Sequence, residues 1–210
     1  MPPELTYQFG EDIARRADFF GLNQKYFREY AGKDLRDFSE RIAHIGEGMS
    51  CTMFYDRPAS VLQAMRISTA GALRSIPRTS AQLTAGETYS NFDAFGDTVV
   101  LTTFAVDHEL RKITPVEGSD ARMADVVLDH NLEFYRPLTR YVITFSPAIR
   151  HAVNLHYRHG AMPVLRLPKA RPGFMMEGEL AEDVIIMGYE WPSYDPNILK
   201  DFGIDARKAA

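Results

Sequence analysis

Four runs in the second half of the chain, Thr98 to Val106, Thr139 to Ser146, Met162 to Leu167 and Asp183 to Tyr189, are rich in β-branched and aromatic residues. Each has the length of a strand, and together they constrain the fold more than any other feature, because a sheet with apolar faces needs a covering layer. The chain supplies helices for that layer. Asp120 to Arg136 places Met123, Val126, Val127, His130 and Phe134 on one side and is stopped by Pro137, while Ser146-Pro147 reads as the cap and first turn of a helix ending at Gly160.

The first 46 residues read as helices. Ile13, Ala17 and Phe20 recur at helical spacing before Gly21, a candidate stop, and Asn23 is a candidate cap for a short helix carrying Tyr26, Phe27 and Tyr30. Asp34 can cap a third helix with a stripe of Leu35, Phe38, Ile42 and Ile45 ending at Gly46. Met49 to Tyr55 suits a buried strand, and Pro58 followed by Val61, Leu62 and Met65 suggests a further helix towards Ala72.

The expected class is therefore α+β: a helical N-terminal part packed on a mainly antiparallel sheet, with long loops and an extended C-terminal tail. One domain over 1–210 is expected, made of a helical segment 1–46, an irregular loop 75–95, a sheet-rich part 97–190 and a tail 191–210.

Three stretches outside the regular elements carry apolar side chains that need a surface to cover. They are the Ser/Thr-rich loop ending in Tyr89, Phe92 and Phe95, the arm from Pro168 to Glu182 with Phe174, Met175 and Met176, and the tail with Trp191, Tyr194, Ile198, Leu199 and Phe202. These eleven residues are the expected interface.

A net charge of −4 leaves no basic excess for general binding to a phosphate backbone, so nucleic acid is disfavoured as a partner. The single cysteine, Cys51, rules out an internal disulfide framework and cysteine-based metal sites. The Met-Pro-Pro-Glu start lacks the basic and apolar regions of a signal peptide, and no apolar run approaches the roughly 20 residues that span a bilayer. The expectation is a protein of the cytoplasm, or of a particle assembled there, without membrane contact.

Candidate chemistry is sparse. His156 and His159 share one helical face and are able to share a metal, but His151 lies about 140° away around the helix, and no HExxH spacing is present. A core role for His156 and a dipole role for His159 are the simpler reading. Asp107-His108-Glu109 and Asp129-His130 invite a base-and-orienter reading, although neighbours on a strand point to opposite faces. Cys51 sits in an apolar setting that disfavours a thiolate. Glu177, Glu179, Glu182 and Asp183 form an acidic run suited to a hard cation or simply to water. Arg66, Arg74 and Arg78, with Arg158, Arg166, Lys169 and Arg171, supply scattered positive charge. There is no GxSxG, SxxK, P-loop or GxGxxG motif.

No catalytic residue, cofactor or metal is assigned on this basis, and the reading leans against an enzyme. The expected function is a structural or assembly subunit of a homo-oligomer or larger complex that contacts itself and other subunits, by analogy a phage neck, tail or capsid component. The alternatives are a small hydrolase or metal-dependent enzyme built from His, Asp and Glu, centred on His108, Glu109, Asp129 and His130 or on the late histidines, and a protein-binding adaptor anchored by Tyr89, Phe92, Phe95 and Trp191.

Overall fold

Residue alternation and β-branching produce seven strands in the computed structural model, which describes residues 5–9, 16–26, 34, 49–68, 97–139, 141–167, 183–191 and 194–205. The strands are β1 (Leu5–Phe9), β2 (Met49–Phe54), β3 (Arg57–Ser68), β4 (Asp97–Val106), β5 (Tyr141–Pro147), β6 (Ala161–Leu167) and β7 (Val184–Tyr189). The helices are α1 (Arg16–Tyr26), α2 (Met123–Tyr135), α3 (Arg150–Arg158) and the single turn α4 (Asn197–Lys200). The hydrogen-bonded order is β1-β2-β3-β4-β5-β7-β6. The α+β class with a mainly antiparallel sheet holds, and β4 with β5 forms a parallel pair through Thr98–Leu101 and Tyr141–Thr144.

By its contacts the chain divides into two units, Met1–Met65 with Thr102–Glu133, and Arg66–Leu101 with Phe134–Ala210. In the first, β1, β2 and β3 form an antiparallel meander, and Phe54 pairs with Arg57 across a two-residue turn. Ala59, Leu110, Met123 and Val127 are buried together there, with Leu5, Phe54, Phe104, Val106 and Ile113 packed around them. In the second, β5 and β6 flank β7, whose six residues are all buried. The helix α3 turns Val153, His156 and Tyr157 inward at the i, i+3, i+4 spacing of one helical face.

Several expectations change. The stretch after Pro58 is strand, not helix, because Ala59, Ser60, Val61 and Leu62 are all covered, and a run buried on both faces has no period to read. Pro58 sits opposite Met53 beside a register shift, a place where a missing N–H is tolerated. Leu5–Phe9, expected in the helical part, is a strand. Gly21 does not stop α1, which runs through it to Tyr26, and Asn23 is buried within the helix instead of capping a new one. The third expected helix lies outside the described residues apart from Asp34. Ser146 and Pro147 end β5; α3 starts only at Arg150, after Ile149 in extended conformation and without a side-chain cap.

The tail covers its own unit. Trp191, Ile198, Leu199 and Ile204 are buried, the Trp191 ring lies 5.2 Å from that of Tyr141, and the Asp195 N–H donates to the Pro163 carbonyl at 2.8 Å. Trp191 also explains Gly188: a Cβ there would stand 2.5 Å from Trp191 Cβ and 2.9 Å from its Cγ, whereas one on Gly21 would meet nothing within 4 Å. Gly188→Ala is expected to cost about 1–3 kcal/mol through overpacking. Gly21→Ala is expected to add about 0.5–1 kcal/mol by restricting the unfolded helix segment. Urea unfolding of both variants checks the opposite signs.

Candidate functional site

Among the described residues of the first unit, a dense set of interacting ionisable groups gathers where β4 ends. Asp107 follows the strand directly, and its N–H donates to the Ala59 carbonyl at 2.8 Å, which turns the carboxylate inward. Its carbonyl then accepts from Leu110 and Arg111, at 3.0 and 2.8 Å, so the chain turns tightly and holds His108 and Glu109 on the outside. Asp107 is buried, and a buried carboxylate needs compensation. It receives the Glu109 N–H at 2.9 Å on Oδ1 and the Lys25 ammonium at 3.1 Å on Oδ2, with the Arg57 guanidinium 3.5 Å from Oδ1. Burial pushes the Asp107 carboxyl up, but the Glu109 N–H, then Lys25 and Arg57, outweigh it and hold it below the ordinary carboxylate value.

Arg57 also donates to Glu109 Oε2, and this contact lowers the Glu109 carboxyl. His108 completes the set: its imidazole is 54% exposed, with Nδ1 3.1 Å from Tyr26 Oη, and its own N–H donates to the same phenol oxygen at 2.7 Å. Asp107 Oδ1 lies 3.8 Å from Nδ1 and Glu109 Oε1 4.0 Å from Nε2. Three positions far apart in sequence, at the end of α1, the start of β3 and the end of β4, thus converge on one exposed imidazole.

The structure therefore unites Asp107, His108 and Glu109 but not His130, which lies on α2 and stacks on Tyr7 with ring centroids 3.5 Å apart; burial lowers its pKa. Adjacency along a strand does not apply at 107–108, because β4 has already ended and the residues lie in a turn. Lys25, Tyr26 and Arg57 were missed by sequence reasoning. Nothing in their local patterns marks them, and Arg57 stood just before the misread helix, which was expected to open at Pro58.

The second unit holds a different polar pair. His156 Nδ1 is 2.7 Å from Tyr189 Oη, both side chains are buried, and burial followed by the charge of His159 pushes the His156 pKa down to about 4. His159 ends α3 as its C-cap. Arg166 bonds Asp183 at 2.8 Å and Asp201 at 2.9 Å. Cys51 is buried. Among the described residues no group of three His, Cys, Asp or Glu side chains is placed to hold a metal, and no helix is long and apolar enough to cross a membrane.

Of the eleven expected interface residues, Tyr89, Phe92, Phe95, Phe174, Met175 and Met176 lie outside the described residues, as do Glu177, Glu179 and Glu182 of the acidic run. Trp191, Ile198 and Leu199 are buried by their own unit, Phe202 is half-buried and Tyr194 is exposed.

A histidine whose folded pKa lies below its unfolded value of 6.5 keeps its full contribution above pH 6.5 and loses it as the pH falls to about 4, because the unfolded chain takes up the proton first. Unfolding free energy is expected to fall by on the order of 2–3 kcal/mol across that window. His156→Phe should flatten this part of the profile, as read by denaturant titration at stepped pH.

No protein-family model matches the chain, and no curated protein matches it in sequence. Solved structures do match in fold. A mosquito arylalkylamine N-acetyltransferase-like 5b superposes with a TM-score of 0.59 at 10% identity, covering 88% of this chain and 99% of that one. The ribosomal-protein-S18-alanine N-acetyltransferase of Escherichia coli gives 0.55 at 14%, covering 89% and 93%. Arabidopsis thaliana Naa50, in complex with the bisubstrate analogue CoA-Ac-MVNAL, gives 0.52 at 10%, covering 89% and 99%. These neighbours are enzymes, and they overturn the expectation of a virion or assembly subunit. That expectation rested on the loop, the arm and the tail taken to need a partner; the loop and arm residues lie outside the described residues, and in the tail Trp191, Ile198 and Leu199 are buried within this chain. The chain has the fold of N-acetyltransferases.

Proposed function

We propose that this protein is an acyltransferase that moves an acyl group from a coenzyme A thioester to an amine. The observation that carries the reading is the fold, a sheet whose described pairings are antiparallel except for the parallel β4–β5 pair, which superposes over 88–89% of the chain on N-acetyltransferases, one of them solved with a CoA-peptide analogue. In such a reaction the amine nitrogen bonds to the thioester carbonyl carbon and the carbon–sulfur bond breaks. Coenzyme A leaves as a thiol with the proton that the amine gives up.

The chain has residues suited to both demands of that chemistry. The thioester substrate carries phosphates, and the connection from β4 to α2 presents Arg111, Lys112 and Arg122, all exposed, around Gly118, whose positive φ of 76° and open surroundings leave backbone accessible to a phosphate. The reacting centre needs a polar group open to a substrate and held in place, and His108, exposed and held by Tyr26 beside Asp107 and Glu109, is such a group. The buried His156–Tyr189 pair has no comparable access to a substrate.

The purified chain, given acetyl or longer acyl coenzyme A with a panel of primary amines, is expected to release free thiol only when an amine is present, with the acylated amine detected by mass spectrometry. His108→Leu should lower the rate by about a hundredfold or more. Alanine at Arg111, Lys112 and Arg122 together should raise KM for the thioester with little change in kcat. Thiol release that ignores the amine, or none with any acyl chain, would contradict the proposal.

A further inference from the structure

The contacts of Tyr26 decide what His108 is able to do, and the inference rests on the reading of this cluster as part of an acyltransferase site. A phenol oxygen has two acceptor lone pairs and one hydrogen. One lone pair of Tyr26 Oη takes the His108 main-chain N–H at 2.7 Å. The Lys25 ammonium lies over the same ring, 5.3 Å from its centroid, and its pKa is raised by Asp107 first and then by the Tyr26 hydroxyl. With the main-chain N–H on the oxygen and a cation over the ring, the phenol hydrogen turns to an acceptor, and the contact at hydrogen-bond distance is His108 Nδ1 at 3.1 Å.

Asp107 Oδ1, at 3.8 Å from the same nitrogen, is too far to hydrogen-bond it and is already engaged by the Glu109 N–H and by Arg57. No carboxylate at bonding distance therefore draws a hydrogen onto Nδ1. A neutral imidazole that accepts at Nδ1 carries its hydrogen on Nε2. Glu109 Oε1, 4.0 Å from Nε2 and bound through its carboxylate to Arg57, sits on the side where that hydrogen is favoured.

We infer that Tyr26 is a positioning residue that fixes His108 as a hydrogen-bond donor at its exposed Nε2 edge, so that His108 serves the negative charge of the reacting thioester, on its oxygen or departing sulfur, and does not collect the proton of the amine. Lys25 and Asp107 act one step further out: the carboxylate anchors the ammonium, and the ammonium lies over the Tyr26 ring. A donor directed at developing negative charge is among the stronger single contributions available to a site of this kind.

The test pairs a spectrum with a substitution series. In protein labelled with ¹⁵N-histidine, at about pH 8 where a free imidazole is neutral, the His108 ring is expected to show a protonated Nε2 and a bare Nδ1, and Tyr26→Phe should bring both forms into exchange. A protonated Nδ1 in the wild-type chain would overturn the inference. In acyl transfer, His108→Gln keeps an N–H near the Nε2 position and is expected to fall by only about tenfold, while His108→Leu falls by about a hundredfold or more. Equal losses in the two would mean that His108 works as a base and the donor role is wrong. No loss in either, with the Nε2–H form still observed, would leave the tautomer correct and remove His108 from the acyltransferase site.

Discussion

A carboxylate taken out of water must be neutralised or the fold around it fails, and Asp107 is where this protein meets that demand. Its three compensating donors come from β3, from the last turn of α1 and from its own turn. Arg57 opens β3, Lys25 closes α1, and the Glu109 N–H closes the turn after β4, so satisfying one buried charge fixes where three elements end. The exposed histidine next along the chain inherits its position from that arrangement. The two cations are largely exposed, so their value is geometric more than energetic: they hold the carboxylate in place without contributing much as surface ion pairs.

The late strands were legible because β-branched and aromatic residues concentrate in them, and α2 because its apolar face repeats at helical spacing before Pro137. The early strands were not. In β1, Thr6 is exposed while Leu5 and Tyr7 are half-buried, so alternation was present but short. At Ala59–Leu62 of β3 both faces are covered, which removes the period-two signal and leaves Val61, Leu62 and Met65 at a spacing that imitates a helix. Gly21 looked like a stop because glycine usually is one at the end of an apolar stripe; here the helix continues for five residues to Tyr26, which the site needs.

The site was half legible. Asp107, His108 and Glu109 are neighbours in sequence and were visible as a group with possible chemistry. Tyr26 and His108 are 82 residues apart, as are Lys25 and Asp107, and such pairs leave no local trace. The apolar tail misled for a related reason. Composition says that Trp191, Ile198 and Leu199 need burial but not where the covering surface comes from, and it comes from the same unit, including the bare face of Gly188.

A charged turn at the end of β4 and a cationic connection to α2 stand on an N-acetyltransferase fold, and the proposed function requires that coenzyme A be the carrier this chain recognises. Calorimetric titration of the 210-residue chain with coenzyme A alone tests that claim without assuming an acceptor. The account predicts saturable binding of one coenzyme A per chain that weakens as salt is raised, because phosphate contacts are screened. Absence of saturable heat at low salt, in a sample shown to be folded, would contradict it.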